Sequence, residues 1–141
     1  MKQSYALTLV MIFAALQSPG STFVNQLNDL QDKPAVLSAA APIYPEIIAR
    51  VELKEIVYVR LTIDKMGLVS SAVALSGHPL LRPGAERAAK RWKFVPSESS
   101  SGPRNLLITF VFQIMPNGTD EEELTPVFTP PYQVEVRHLP F

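Results

Sequence analysis

Two stretches of the chain alternate apolar and polar residues with the period of a β-strand. In the first, from Ile56 to Asp64, one face carries Val57, Val59, Leu61 and Ile63, and the other carries Tyr58, Arg60 and Thr62. In the second, the residues of the apolar face are Leu106, Ile108, Phe110, Phe112 and Ile114. The alternation therefore predicts two strands, each with an apolar face.

A tight turn and a returning strand follow the first of these strands. Residues Asp64 to Gly67 predict a hairpin turn, because Gly67 can adopt a positive φ without strain. The returning strand places Val69, Ser71, Val73 and Leu75 on one face. The break at residues 76–79, Ser-Gly-His-Pro, ends this strand.

An amphipathic helix is predicted from near Pro83 to about Trp92. Leu81, Ala85, Ala88 and Trp92 have the spacing of one buried stripe, so Trp92 is expected in the core rather than as a platform for a ligand. Glu86 and Lys90 are expected to form an exposed ion pair one turn apart. A shorter helix is predicted from Pro45 to Val51, with proline in its first turn.

The order helix, strand, strand, helix, strand predicts an α+β fold in which a three-stranded antiparallel sheet packs against two helices. The predicted domain spans residues 42–115, after a lead-in or linker at residues 21–41. Residues 116–141 form a proline-rich, acidic linker that ends in an added C-terminal tail strand, Tyr132 to Arg137. This tail strand is expected to fold back onto a sheet edge, with the third strand as the candidate, and to stand in for a partner peptide.

The N-terminus predicts export. Lys2 precedes an apolar run from Tyr5 to Leu16, and small or turn-forming residues follow at 18–21. The run is shorter than the roughly 20 residues of a membrane-spanning helix, and the pattern is typical of a secretory signal peptide over residues 1–20. An uncleaved short anchor is the alternative.

Composition and spacing argue against several kinds of chemistry. The chain has 13 basic and 13 acidic residues and a formal net charge of zero, which argues against nucleic-acid binding. It has no cysteine, and His78 and His138 lie far apart with no clustered partner, so no metal and no cofactor are expected. No nucleophile elbow surrounds Ser76, so no catalytic residues and no small-molecule substrate are expected.

Two charged clusters have alternative interpretations. The second helix is basic, with Arg82, Arg87, Lys90, Arg91 and Lys93. A solvated face is the simpler interpretation, and contact with anionic lipid headgroups, cell-wall polymer or an acidic partner is the functional one. The acidic run at 120–123 lacks the alternating ligands of a calcium loop and indicates a solvated linker.

Several short motifs, in their order and spacing, resemble the C-terminal domain of TonB. They are Tyr44-Pro45, Val59 to Asp64, Gly67, Ser76 to Leu81, and Arg91 to Pro96. The resemblance covers about residues 42–115 and implies a periplasmic α+β domain. In that family, TonB couples an inner-membrane proton-motive complex to outer-membrane receptors, and its C-terminal domain captures an extended receptor segment as an added strand.

Carried over by position, the resemblance places the receiving edge on the third strand. The residues of this edge are Asn105, Leu106, Leu107, Ile108, Thr109, Phe110, Val111, Phe112 and Gln113. Ile48, Ala49 and Arg50 are expected near the bound peptide. The implied partner is an outer-membrane or envelope protein with an extended segment, bound by a non-enzymatic module in the periplasm.

The chain also departs from full-length TonB. No histidine precedes His78, and the long proline-rich spacer is absent. Lys54-Glu55 stands where the family has Glu-Gly, and Arg82 replaces an acidic cap. Two alternatives to a free binding module stay open. One is a complete energy transducer anchored in the inner membrane and facing the periplasm. The other is a structural subunit that forms homodimers through its strand edges.

Overall fold

The computed structural model describes residues 33–47, 54–98 and 102–140. Residues from Pro34 onward form one compact unit. Its elements in chain order are β1 (Val36–Ser38), β2 (Lys54–Ile63), β3 (Val69–Ala74), α1 (Arg82–Lys90), β4 (Lys93–Phe94), β5 (Arg104–Ile114), a 3₁₀ helix (Glu121–Leu124), β6 (Val127–Thr129) and β7 (Gln133–His138). The fold class is α+β, as predicted.

The β2–β3 hairpin confirms the predicted turn. The main-chain N–H of Gly67 donates to the Asp64 carbonyl at 3.1 Å, and the Asp64 carboxylate accepts the N–H groups of Met66 and Leu68, both at 2.9 Å. Gly67 has a φ of +80°. Its carbonyl group ties the turn to the rest of the domain, because the N–H of Phe94 donates to the Gly67 carbonyl at 2.9 Å.

A bulge in β3 divides its apolar residues between the two sides of the sheet. Thr62 pairs with Ser71 but Ile63 pairs with Val69, so β3 contains one extra residue at this point. Val69 therefore packs against the core, whereas Val73 is 42 % exposed. The buried residue of β3 is Ala72, which the expected face of Val69, Ser71, Val73 and Leu75 did not include.

Helix α1 buries the predicted stripe. Leu81, Ala85, Ala88 and Trp92 are all at most 1 % exposed. The indole N–H of Trp92 donates to the Ala40 carbonyl at 2.9 Å, so its one polar group has a partner inside the fold. The expected pair of Glu86 with Lys90 does not form, because the Glu86 carboxylate accepts the main-chain N–H of Ala74 instead, at 2.8 Å.

The predicted three-stranded sheet packed against two helices is wrong in detail. The sheet has five strands in the order β3-β2-β5-β7-β6, and β1 pairs with β4 in a separate two-stranded sheet. The difference arises because the tail carries apolar residues that extend the core. The described residues contain one α-helix; the other predicted helix begins as a turn at Glu46–Ile47, and its remainder lies outside the described residues.

Candidate functional site

The predicted receiving strand is β5, which lies between β2 and β7. On one side it pairs antiparallel with β2 along its length, from Arg104 opposite Ile63 to Gln113 opposite Lys54. On the other side it pairs in parallel with β7, from Thr109 opposite Gln133 to Ile114 opposite His138. Strand β7 therefore covers residues 109–113 of the predicted receiving edge.

The first half of β5 forms an edge with no strand beside it in the described part of the chain. The N–H of Thr109 donates to the Tyr132 carbonyl, on the side of β7, at 2.9 Å. Main-chain groups alternate in direction along a strand, so Asn105 and Leu107 point their N–H and C=O groups toward the same side. We call this part of β5, residues 104–108, the open edge; Leu107 is 47 % exposed there.

The tail strand that covers the second half of β5 belongs to the core. The prediction that the tail folds back onto the third strand is confirmed by the pairing of β7 with β5. Val134 and Val136 of β7 are 3 % and 4 % exposed. In β6, the ring of Phe128 meets the Trp92 ring edge-on at a centroid distance of 6.1 Å. The tail therefore supplies apolar surface as well as main-chain pairing.

The two outer strands of the sheet differ in their availability. At β3, the carboxylate of Glu86 accepts the Ala74 N–H, which points away from β2. A helix side chain thus fills part of this edge, a recognised protection against unwanted pairing. At the other end, β6 has only three residues, all exposed. Short edge strands offer few hydrogen bonds to a partner.

Charged and polar groups surround the start of the open edge. Arg104 has two buried guanidinium nitrogens, Nε and Nη2, without a hydrogen-bond partner. Burial raises the pKa of the nearby Tyr132, and the positive charge of Arg104 offsets part of that rise. The Tyr132 hydroxyl donates to the Pro34 carbonyl at 2.9 Å. Sequence reasoning missed Arg104, because nothing in its neighbourhood along the chain indicates that two of its guanidinium nitrogens are buried.

The residues expected near the bound peptide, Ile48, Ala49 and Arg50, lie outside the described residues. The neighbouring Tyr44 is 4 % exposed and packs edge-on against Phe112, with 5.6 Å between ring centroids. Its hydroxyl is buried without a hydrogen-bond partner. Burial, followed by the charge of Glu55, raises the pKa of Tyr44. The Tyr44-Pro45 motif thus anchors this segment to β5.

In residues 33–47, 54–98 and 102–140, no three acidic or histidine side chains come together as a metal site would require. No helix in that part of the chain has both the length and the apolar character to cross a membrane.

The described residues thus form a sheet with an accessible main-chain edge on β5, and α1 packs against β2 and β3. Residues 40–114 match the model of the family described as Gram-negative bacterial TonB protein C-terminal, over more than half of the chain. The chain belongs to this family, whose domains interact with outer-membrane receptors in the bacterial envelope. No curated protein matches the chain.

Proposed function

We propose that this protein is a non-enzymatic, exported binding module that captures an extended segment of an envelope protein by strand addition to β5. The supporting observation is the open edge. Asn105 and Leu107 present main-chain groups on the side of β5 that faces β7, and β7 pairs with β5 only from Thr109 onward. An added strand there would receive main-chain hydrogen bonds from β5 and use neighbouring side chains for selectivity.

The open edge is a better candidate than the outer strands. Glu86 already occupies an edge amide of β3, and β6 is only three residues long. By contrast, β5 is held on its other side by ten paired positions of β2, from Lys54 to Ile63. A rigid strand lowers the ordering cost of binding. The partner segment would pair with the open edge of β5 and would end near Tyr132, where the tail strand begins. The added strand would therefore be only a few residues long.

The test is a titration of isotopically labelled protein with extended peptides from outer-membrane receptors, followed by NMR. We expect shifts of the amides of Asn105 and Leu107 that saturate with peptide. Leu107→Pro removes the edge N–H without removing a hydrogen bond to β2, since Leu107 occupies a position that does not bond to that strand. One lost main-chain bond is worth about 1.5 kcal/mol, or about tenfold in affinity.

Leu107→Ala is the matched control, because it shortens the same side chain but keeps the N–H. Equal losses in the alanine and proline variants would assign binding to the side chain rather than to strand addition. An absence of amide shifts at the open edge with every peptide would contradict the proposal.

Family membership favours a second candidate, an energy transducer that stays anchored in the inner membrane. The first residue of the mature protein distinguishes the two. A start near Ser21, found by mass spectrometry of the native protein, supports an exported module; retention of Tyr5 to Leu16 supports an anchored transducer.

A further inference from the structure

A groove unrelated to the strand edges lies between α1 and the segment that precedes Tyr44. Its volume is about 300 Å³, and its lining residues are Pro42, Ile43, Gly84, Arg87, Ala88 and Arg91. Ile43 is 87 % exposed, whereas Ala88 is 1 % exposed. The groove therefore combines an apolar floor and wall with two arginines at its rim.

The two rim arginines are available to an anion. Arg87 and Arg91 lie one helical turn apart and so share one side of α1. Both are exposed. The ion pair found within the described residues joins Arg137 to Glu135 instead, elsewhere in the fold. Since neighbouring cations repel each other, a pair of carboxylates placed between them is the favoured occupant.

Gly84 keeps the groove open. Glycine inside a helix costs roughly 0.5–1 kcal/mol relative to alanine. Among the described glycines, Gly67, Gly77 and Gly118 have a positive φ, and Gly84 does not. A Cβ atom on Gly84 would meet nothing closer than the Ile43 carbonyl oxygen at 3.9 Å. Neither backbone conformation nor packing requires glycine here, but a side chain would enter the groove.

The same chain carries a surface of matching charge. Residues 120–123, Asp-Glu-Glu-Glu, are all exposed, and Leu124 beside them is half-buried. An arginine holds this segment at β7, because a guanidinium N–H of Arg137 donates to the Glu123 carbonyl at 3.2 Å. Helix α1 packs on β3 and β2, whereas β7 is three strand positions from β3. Within one copy, neither Arg87 nor Arg91 forms an ion pair with this segment; the ion pair of the described residues joins Arg137 to Glu135.

We propose that the groove binds the acidic 120–124 segment of a second copy of this chain. The acidic side chains would pair with Arg87 and Arg91, and Leu124 would contact the apolar wall at Ile43. Two copies related by a two-fold axis form this contact twice. The contact would explain how a chain of zero net charge can have two strongly charged surfaces without neutralising them internally.

The test is sedimentation of the full chain and of paired charge reversals. Wild type is expected to associate in about 50 mM salt and to dissociate in about 1 M salt, where the screening length is about 3 Å. Arg87→Glu with Arg91→Glu, and Glu121→Lys with Glu122→Lys, should each weaken association at least about tenfold. A mixture of these two variants should associate again, because the acidic groove of one meets the basic segment of the other.

Two controls make the result specific. Lys54→Glu with Lys65→Glu changes the net charge by the same amount as the groove variant, at exposed lysines outside the groove, and should leave association unchanged. Gly84→Leu should fill the groove and weaken association while thermal unfolding shows a retained or more stable fold. Leu107→Pro, which tests the strand edge, should have no effect on self-association.

Three outcomes would overturn the proposal. One is a wild-type protein that stays monomeric at low salt and high concentration. Another is a mixture of the two charge-reversed variants that fails to associate. The third is a monomer that binds phosphatidylglycerol vesicles through Arg87 and Arg91, which would assign the groove to a membrane surface.

Discussion

At the residue scale, the hydroxyls of Tyr44 and Tyr132 differ in their hydrogen bonding. The Tyr132 hydroxyl donates to the Pro34 carbonyl, whereas the Tyr44 hydroxyl is buried without a partner. A buried polar group without a hydrogen bond costs about 1–3 kcal/mol, and one that is bonded contributes about 1 kcal/mol. The two residues thus form a natural pair for comparison.

Removing each hydroxyl should therefore have opposite effects on stability. We expect Tyr132→Phe to lower the free energy of unfolding by about 1 kcal/mol, because a bonded hydroxyl is lost. Tyr44→Phe should leave it unchanged or raise it by up to about 1 kcal/mol. Urea unfolding of both variants measures the difference; equal destabilisation would show that the Tyr44 hydroxyl has a partner in solution.

Stability should also depend on alkaline pH through the same two residues. Burial raises the pKa of both Tyr44 and Tyr132 in the folded protein. The unfolded chain then loses these protons first, near the ordinary tyrosine pKa of about 10. The contribution of the two tyrosines to folding stability is fully present below that pH. It is lost as the pH rises through their higher pKa values in the folded protein. The double variant with both tyrosines changed to phenylalanine should show a shallower alkaline loss of stability.

Gly67 gives a prediction about backbone geometry. A Cβ atom there would lie 2.0 Å from the main-chain oxygen of Phe94, and φ is +80°. Gly118 has a similar φ, +89°, but nothing within 4 Å of its Cβ position. We expect Gly118→Ala to cost about 1 kcal/mol, from the left-handed conformation alone. Gly67→Ala should cost several times more in the same unfolding measurement, because backbone must also move.

At the element scale, the tail hairpin of β6 and β7 is expected to contribute to folding stability. Val136 of β7 is 4 % exposed, whereas Val127 of β6 is 37 % exposed. Val136→Ala should lower the free energy of unfolding by about 2 kcal/mol, from lost burial plus a cavity. Val127→Ala, the same substitution in the same hairpin, should change it by less than about 0.5 kcal/mol. Equal effects would mean that β7 is not docked.

The same elements show what a local pattern can predict. The alternation in β2 and β5 placed Val57, Val59, Ile108 and Phe110 correctly in the core, because a half-buried strand must alternate. It did not predict the bulge at Ser70, since a single inserted residue is decided by pairing with β2. The role of Glu86 was also missed, because its acceptor geometry depends on where α1 meets β3.

At the scale of the whole molecule, the tail sets how much of β5 is accessible. Deleting residues 117–141 would uncover the edge from Thr109 to Ile114 and expose the core beneath Val134. Unpaired edges and exposed apolar surface both promote association. We expect the truncated protein to be less stable, and any fraction that stays folded to bind extended peptides more tightly or to dimerise. Sedimentation and peptide titration would test this.

A less disruptive variant separates the two roles of the tail. Phe128→Ala removes the ring that contacts Trp92 but leaves the residues that pair β7 with β5 unchanged. It should lower stability without increasing peptide binding. If peptide binding rose as much as in the truncated protein, loosening of the core rather than release of the edge would be responsible.

Local sequence patterns were enough to predict the β2–β3 hairpin, the buried stripe of α1, the alternation of β5 and a strand in the tail. These follow from side-chain periodicity and turn chemistry, which act between near neighbours along the chain. The three-dimensional fold was needed to show that β7 pairs in parallel with β5, that Glu86 protects β3, and that an edge remains at residues 104–108. Each of those depends on contacts between distant residues, whose geometry no local pattern encodes.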